Sequence, residues 1–172
     1  MTETRQFHWF WAWEDEKEER YLREMALQGW HFQSVGFPGI YTFLKEAPRN
    51  DFYRLDFFTD RKEKEAYIQL FRDAGWRHAG EYGSWQYFRK TGREDEILEI
   101  FTDNESKQRK YGRILFFMII FMPIYAVSLT RVSEASSLLM KVITFVVFLF
   151  FLLYIYAMIM LMRRISQLKN RP

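Results

Sequence analysis

The chain has 172 residues, 49% hydrophobic and 20% aromatic, with 25 Lys and Arg, 22 Asp and Glu and no cysteine. Without cysteine there is no thiolate metal centre, cysteine nucleophile or disulfide framework. The formal charge of +3 hides a division, since residues 1–106 carry 15 basic against 21 acidic side chains, a poor match for nucleic acid, which is bound by clustered Lys and Arg.

The opening residues Met1 to Trp9 lack a basic segment followed by an apolar one, so no signal peptide is expected. Trp9, Trp11 and Trp13 alternate within the aromatic run Phe7 to Trp13, the period of a strand. Glu14 to Gln28 then reads as a helix with Tyr21, Leu22, Met25 and Ala26 on one face. Its acidic start, Glu14, Asp15, Glu16, Glu18 and Glu19, reads as a solvated face that complements the helix dipole beside Lys17, Arg20 and Arg23. Gly29 stops the helix. A hairpin follows, Phe32 to Phe37 and Ile40 to Lys45, turning at Pro38-Gly39. After the loop Pro48 to Asp51 the order recurs. Tyr53, Leu55 and Phe57 alternate as a strand, and Arg61 to Ala74 carries Ala66, Tyr67, Leu70, Phe71 and Ala74 on one helical face. Asp60 and Glu63 read as a capping box, Gly75 as the stop, and Arg77 to Tyr82 with Trp85 to Lys90 as a second hairpin turning at Gly83-Ser84.

The landmarks match between halves. Tyr21 and Tyr67 each precede a glycine by eight residues, and Trp30 and Trp76 each precede a tyrosine, Tyr41 or Tyr87, by eleven. The expected fold is α+β: a β-α-β-β unit used twice, about 7–46 and 52–90, within a domain 1–93. Antiparallel sheet would carry both helices on one face. Residues 94–111, acidic and then basic, are expected to form a juxtamembrane helix or linker.

Two uncharged runs follow, Ile114 to Thr130 and Val142 to Met162. A membrane-crossing helix needs about 20 apolar residues, which predicts transmembrane helices at 112–130 and 142–162, an extracytoplasmic loop 131–141 and a basic tail 163–172. Lys107, Arg109, Lys110, Arg113, Arg163 and Arg164 mark the membrane interface, whereas the loop offers only Arg131 and Lys141. Basic flanks stay inside, so a two-helix hairpin in the cytoplasmic membrane, with both termini cytoplasmic, is expected. Neither run holds Asp, Glu, Lys, Arg or His or a GxxxG pattern, and Pro123 interrupts the first. Anchoring, with or without homodimer formation, suits these runs better than transport.

The stretches WEDEKEERYLREMALQGWHF, YRLDFF, YIQLFRDAGWRHAG and SWQYFRK together resemble bacterial membrane proteins grouped as domain-of-unknown-function family 2812, over roughly residues 7–110. The resemblance implies context rather than chemistry, because the family has no established activity and no catalytic residues to transfer. Its members are often encoded beside PadR-type transcriptional regulators and tend to carry C-terminal membrane helices. The doubled unit is also similar in topology to GyrI-like effector-binding domains, which bind small molecules in a cleft between repeats. Fold alone does not fix function.

No enzyme is expected, and neither cofactor nor metal. His8, His31 and His78 have no ligand spacing, with His31 and His78 expected at solvent-facing strand starts. Ser34 and Ser84 stand in no nucleophile elbow. The aromatic run at Phe7 to Trp13 would cover both faces of one strand, so either it is packed on both sides or one face binds a partner. Arg54 and Asp56 share a strand face, where they either pair on the solvent side or orient a ligand. Trp30 and Trp76 are assigned to the core. The expected binding surface is Trp9, Trp11, Trp13, Tyr41, Arg54, Asp56, Trp85 and Tyr87. It belongs to a membrane-anchored bacterial sensor or regulatory module that binds a small apolar or cationic ligand, or a partner protein such as a transcriptional regulator. The alternatives are an accessory or assembly subunit of a membrane transport complex, or an enzyme acting at the membrane surface through Asp56 or His31.

Overall fold

Each half of the N-terminal part folds as strand, helix, strand, strand. A computed structural model describes residues 2–92, 104–133 and 138–169 of the chain. The first repeat contains β1 (Glu3–Phe7), α1 (Asp15–Leu27), β2 (Trp30–Gly36) and β3 (Ile40–Lys45). The second contains β4 (Asp51–Phe57), α2 (Lys64–Asp73), β5 (Arg77–Tyr82) and β6 (Trp85–Thr91). Each forms its own three-stranded antiparallel sheet, β1-β3-β2 and β4-β6-β5, with the last strand central.

The duplication extends to fine detail. Gly29 and Gly75 end the helices in the left-handed region, and their amides donate to Ala26 and Arg72 carbonyls, both at 2.9 Å. The last lysine of each hairpin then caps the helix of its own repeat. Lys45 Nζ donates to the Gln28 carbonyl at 2.8 Å and Lys90 Nζ to the Ala74 carbonyl at 3.1 Å. A cation there satisfies an orphan carbonyl at the negative end of the helix dipole. Both ladders also skip one residue at the same place, Gln33 in β2 and Ala79 in β5. The skipped positions lie where the sheets approach: a Cβ on Gly80 would sit 3.4 Å from Phe32 Cε1 and 3.6 Å from the Gln33 carbonyl.

The repeats therefore give two sheets, not one sheet with both helices on a single face. Phe32, Tyr41 and Phe43 of the first sheet meet Tyr53, Leu55 and Tyr87 of the second, with Leu22, Met25 and Ala26 of α1, in one core. Ile68 and Phe71 of α2 pack with Trp76 against Phe52 and Phe88 in a second, smaller core. The β4-β6-β5 sheet is thus covered on both faces, and the neighbouring residues Phe52 and Tyr53, like Tyr87 and Phe88, are buried on opposite sides of it. Trp76 is a core residue, as expected, and Trp30 packs at the edge of the larger core under Lys45 Nζ, 4.6 Å from its ring centroid.

The first strand differs from expectation. It is the polar segment Glu3–Phe7, and Trp9, Trp11 and Trp13 lie outside any strand. The reason is pairing: Phe7 stands opposite Ile40, the first residue of β3, so the ladder has no partner beyond it. A polar edge strand also leaves little periodic signal to read.

The second unit consists of α3 (Asn104–Ser133) and α4 (Leu138–Lys169), which pack on each other; the Tyr154 hydroxyl donates to the Met118 carbonyl. Both helices outrun the expected bounds of 112–130 and 142–162, so most of the expected loop 131–141 is helical; residues 94–103 and 134–137 lie outside the described residues. Among the described residues one segment, Lys141–Lys169, is long and apolar enough to cross a membrane, with a mean hydropathy of 2.7 over its most apolar stretch, where the sequence predicts two. The expected first crossing falls within α3, which contains Pro123.

Gly29 illustrates how tightly the first repeat closes. Its φ is +82° and an added Cβ would lie 2.5 Å from the Glu46 carbonyl oxygen, whereas Gly83 (φ +59°) has open space around it. Gly29→Ala is expected to destabilise the domain by about 1–3 kcal/mol, and Gly83→Asn by less than about 1 kcal/mol. Thermal unfolding followed by tryptophan fluorescence measures both, since all six tryptophans lie in residues 1–106.

Candidate functional site

The segment between β1 and α1 builds a roof. The His8 amide donates to the Gly39 carbonyl at 2.9 Å, tying the chain to the tip of the β2–β3 hairpin. Only glycine fits at that tip, because φ is +116° and a Cβ would sit 2.4 Å from the His8 carbonyl oxygen. At the other end the Trp11 amide donates to Glu14 Oε2 at 3.2 Å, and the Glu14 amide donates to the Trp11 carbonyl at 2.8 Å. Lys17 reaches Glu14 Oε1 at 2.5 Å and holds that carboxyl below its ordinary pKa, so the clasp is ionised. Between the anchors the rings support one another. Trp9 meets Trp11 edge-on at 5.7 Å, and Trp13 stacks on Trp11 at 5.2 Å with 3° between the planes.

Beneath this roof lies an open cavity of about 320 Å³, within the range of small-ligand sites. Trp9, Phe10 and Trp11 form one side, and Tyr41, Trp85 and Tyr87 come from the two hairpins. Asp15 and Glu18 contribute its carboxylates, and no Lys or Arg among the described residues lines it. The rim is apolar and exposed, with Phe37 80% and Trp9 51% accessible.

Glu18 is the unusual group. It is 7% exposed, and its Oε1 accepts hydrogen bonds from the Tyr41 and Tyr87 hydroxyls, each at 2.7 Å. No basic side chain among the described residues pairs with it, unlike Glu19 and Asp51, which are also buried. Glu19 takes Arg54 at 2.7 Å, and Asp51 has Arg49 at 3.4 Å and Arg89 at 3.8 Å. Burial raises the Glu18 pKa above the ordinary 4.5; the two tyrosine bonds oppose the shift, and the charges of Asp15 and Glu19 reinforce it. Burial also raises both tyrosine pKa values, with Glu18 adding to the shift, so both hydroxyls remain donors.

The two tyrosines look equivalent in sequence but are not. The first hairpin turns through Phe37–Gly39 and the second through Gly83–Ser84, one residue fewer. Register therefore aligns Tyr41 (opposite Val35) with Gln86 (opposite Glu81), leaving Tyr87 in the place of Thr42. With a side-chain period of two, the tyrosines project from opposite faces of equivalent strands. That offset is what lets both sheets reach one carboxylate.

Of the expected surface residues, Trp9, Trp11, Tyr41, Trp85 and Tyr87 line the cavity and Trp13 backs it. Arg54 and Asp56 do not enter it. Arg54 pairs with Glu19 rather than with Asp56, and Asp56 accepts the Tyr67 hydroxyl at 2.5 Å. The acidic start of α1 is not a solvated face, because Asp15, Glu18 and Glu19 are all buried. Positions 15, 18, 22 and 25 share a helical stripe with the apolar core residues, and that spacing is the signal that locates Glu18. His31 is fully buried rather than solvent-facing. Its Nε2 donates to the Ala47 carbonyl at 2.9 Å and its Nδ1 lies 3.3 Å from Asp51, so it braces the loop between repeats. His78 Nε2 lies 2.9 Å from Gln86 Oε1. Among the described residues no group of three His, Cys, Asp or Glu could hold a metal.

An acid whose pKa is raised on folding binds protons more tightly in the folded state, so its contribution to stability falls as pH rises above the unfolded value. For Glu18 that loss begins near 4.5 and is complete above its raised folded value. Glu18→Gln keeps an oxygen for the two tyrosines and removes the charge. It is expected to stabilise the unliganded protein by about 0.5–2 kcal/mol at neutral pH, a gain that shrinks towards acid. Thermal unfolding of both proteins across pH measures it.

Comparison with curated proteins and with solved structures returns no match. A family profile does match, over residues 14–122, a span that includes α1, all of the second repeat and the start of α3. The chain belongs to the family described as "Protein of unknown function (DUF2812)".

Proposed function

We propose that the protein is a membrane-anchored sensor or regulatory module whose N-terminal domain binds a small apolar or cationic molecule in the aromatic cavity. The observation that carries this reading is the cavity itself. It is of ligand size and ring-lined, and it is assembled from both repeats and a roof segment anchored at both ends. Supporting it, the chain continues into long apolar helices. We read α3 and α4 as a two-helix hairpin across the cytoplasmic membrane, both termini cytoplasmic, on the strength of the basic flanks at Lys107 to Arg113 and at Arg163 and Arg164. Ligand would act by favouring one state of the domain through differential affinity, with a cytoplasmic partner such as a transcriptional regulator reading the state. The competing reading, an assembly subunit of a transport complex, expects a larger complex on extraction and no ligand response.

The test uses the full chain in lipid nanodiscs, titrated with small neutral and cationic aromatic compounds while tryptophan fluorescence and thermal unfolding are followed. A ligand at about 100 times its dissociation constant is expected to add about 2.7 kcal/mol of stability. Trp11→Ala is expected to weaken binding about ten-fold, and exposed Lys62→Ala to leave it unchanged. A saturable response that survives Trp11→Ala, or no response to any compound, sinks the cavity as the receptor site.

A further inference from the structure

Resting on that reading of the cavity, we propose that its ligand is a monovalent organic cation, an amine or quaternary ammonium on an aromatic or branched apolar body, whose charge is met by Glu18. Charge comes first. The cavity presents two carboxylates and, among the described residues, no Lys or Arg, so an anionic ligand is disfavoured. A neutral ligand would displace water and leave Glu18 without compensation, a costly state for a buried anion. A cation supplies the counter-charge that Glu18 lacks, and a single positive charge matches the one carboxylate that both tyrosines hold in place.

Geometry selects the kind of cation. Both tyrosine hydroxyls bond Oε1, which fixes the carboxylate and leaves Oε2 with its acceptor capacity. The surrounding groups are rings: Trp9, Trp11 and Phe10 above, Trp85 from the second hairpin. Ring faces attract diffuse cations such as quaternary ammonium groups. They offer no oxygen ligands to a bare divalent ion, which wants six or more. The apolar rim at Phe37 and Trp9 gives an organic body somewhere to lie.

Binding then carries a proton step. Asp15 and Glu19 face Glu18 from its own helix, Tyr41 from β3, Tyr87 from β6, and His8 lines the cavity from the roof. Burial, reinforced by the charges of Asp15 and Glu19, disfavours the ionised form, so the empty site holds the Glu18 proton more tightly than water would. The cation binds the ionised form, and the proton leaves to solvent. Affinity therefore increases with pH until Glu18 is ionised without the ligand.

The experiment compares benzyltrimethylammonium with its neutral carbon isostere, 2,2-dimethylpropylbenzene, by equilibrium dialysis against the full chain in nanodiscs, corrected with empty nanodiscs. Wild type is expected to bind the cation at least about ten-fold more tightly than the isostere. Glu18→Gln abolishes that preference by weakening the cation alone, and it flattens the increase in cation affinity expected as pH rises above the ordinary carboxylate value of 4.5. Lys62→Ala, at an exposed position outside the cavity, keeps the preference. Equal affinity for the two probes in wild type overturns the cation assignment while leaving a small-molecule site. Binding of neither probe, nor of any compound in the wider panel, overturns both. The wild-type comparison stands even if a variant folds poorly.

Discussion

One turn of α1 holds the two repeats together. Glu18 accepts the Tyr87 hydroxyl of the second sheet while it holds Tyr41 of the first, both at 2.7 Å. The next residue, Glu19, accepts the Leu55 amide of β4 at 2.9 Å and pairs with Arg54 at 2.7 Å. β4 is an edge strand of its sheet, and such a strand presents unpaired amides that need covering. Glu19 covers one of them from a helix, which prevents the edge from recruiting another strand and fixes where the first repeat docks. The cavity and its carboxylate follow from that docking, since Tyr87 reaches Glu18 only when α1 lies along β4.

The repeats have kept their scaffold and diverged in their helices. Helix stops, capping lysines and skipped strand residues agree between the halves. Counting back from Gly29 and Gly75, the residue that corresponds to Glu18 is Lys64, which is exposed enough to pair with Glu81 at the surface. α2 therefore packs on its own sheet without any buried charge and forms a small aromatic core, with Phe71 and Phe88 stacked at 3.8 Å. One copy stabilises and the other carries the site. The roof segment has no counterpart either, because Phe57 of β4 leads through Phe58 to α2, and Phe58 stacks on Tyr67 at 4.0 Å instead of enclosing a space.

Much of this was legible in the chain. The two amphipathic helices, the glycine stops, the hairpins and the duplication all rest on local periodicity and turn chemistry, and the structure places them within a few residues of their expected bounds. Five of the eight residues singled out from sequence line one cavity, because aromatic side chains at hairpin starts and ahead of a helix are brought together by the β-α-β-β topology itself. What escaped was non-local. β1 is polar and acquires its structure from pairing with β3, so no periodic pattern announces it. The burial of Glu18 depends on a second sheet arriving from 69 residues away. Arg54 was drawn out of the site by Glu19 on a different element, which no strand-face rule foresees.

The way the charges are distributed argues that the site is not an accident of packing. Arg20, Arg23 and Arg54 all lie within or beside α1, so the fold had cations at hand to neutralise Glu18. Two of them are used elsewhere: Arg54 on Glu19, and Arg23 on Asn50 and above the Phe52 ring at 4.0 Å. A buried carboxylate stabilised only by two neutral hydroxyls costs the empty protein stability. A leucine or methionine at position 18 would fill the same stripe as Leu22 and Met25 at no such cost, though it would leave Tyr41 and Tyr87 without an acceptor. The arrangement keeps the carboxylate oriented, uncompensated and in reach of a ring-lined space that opens to solvent. Those three properties serve recognition of a positive charge and serve stability poorly, which is the pattern expected where a fold gives up stability for a binding site.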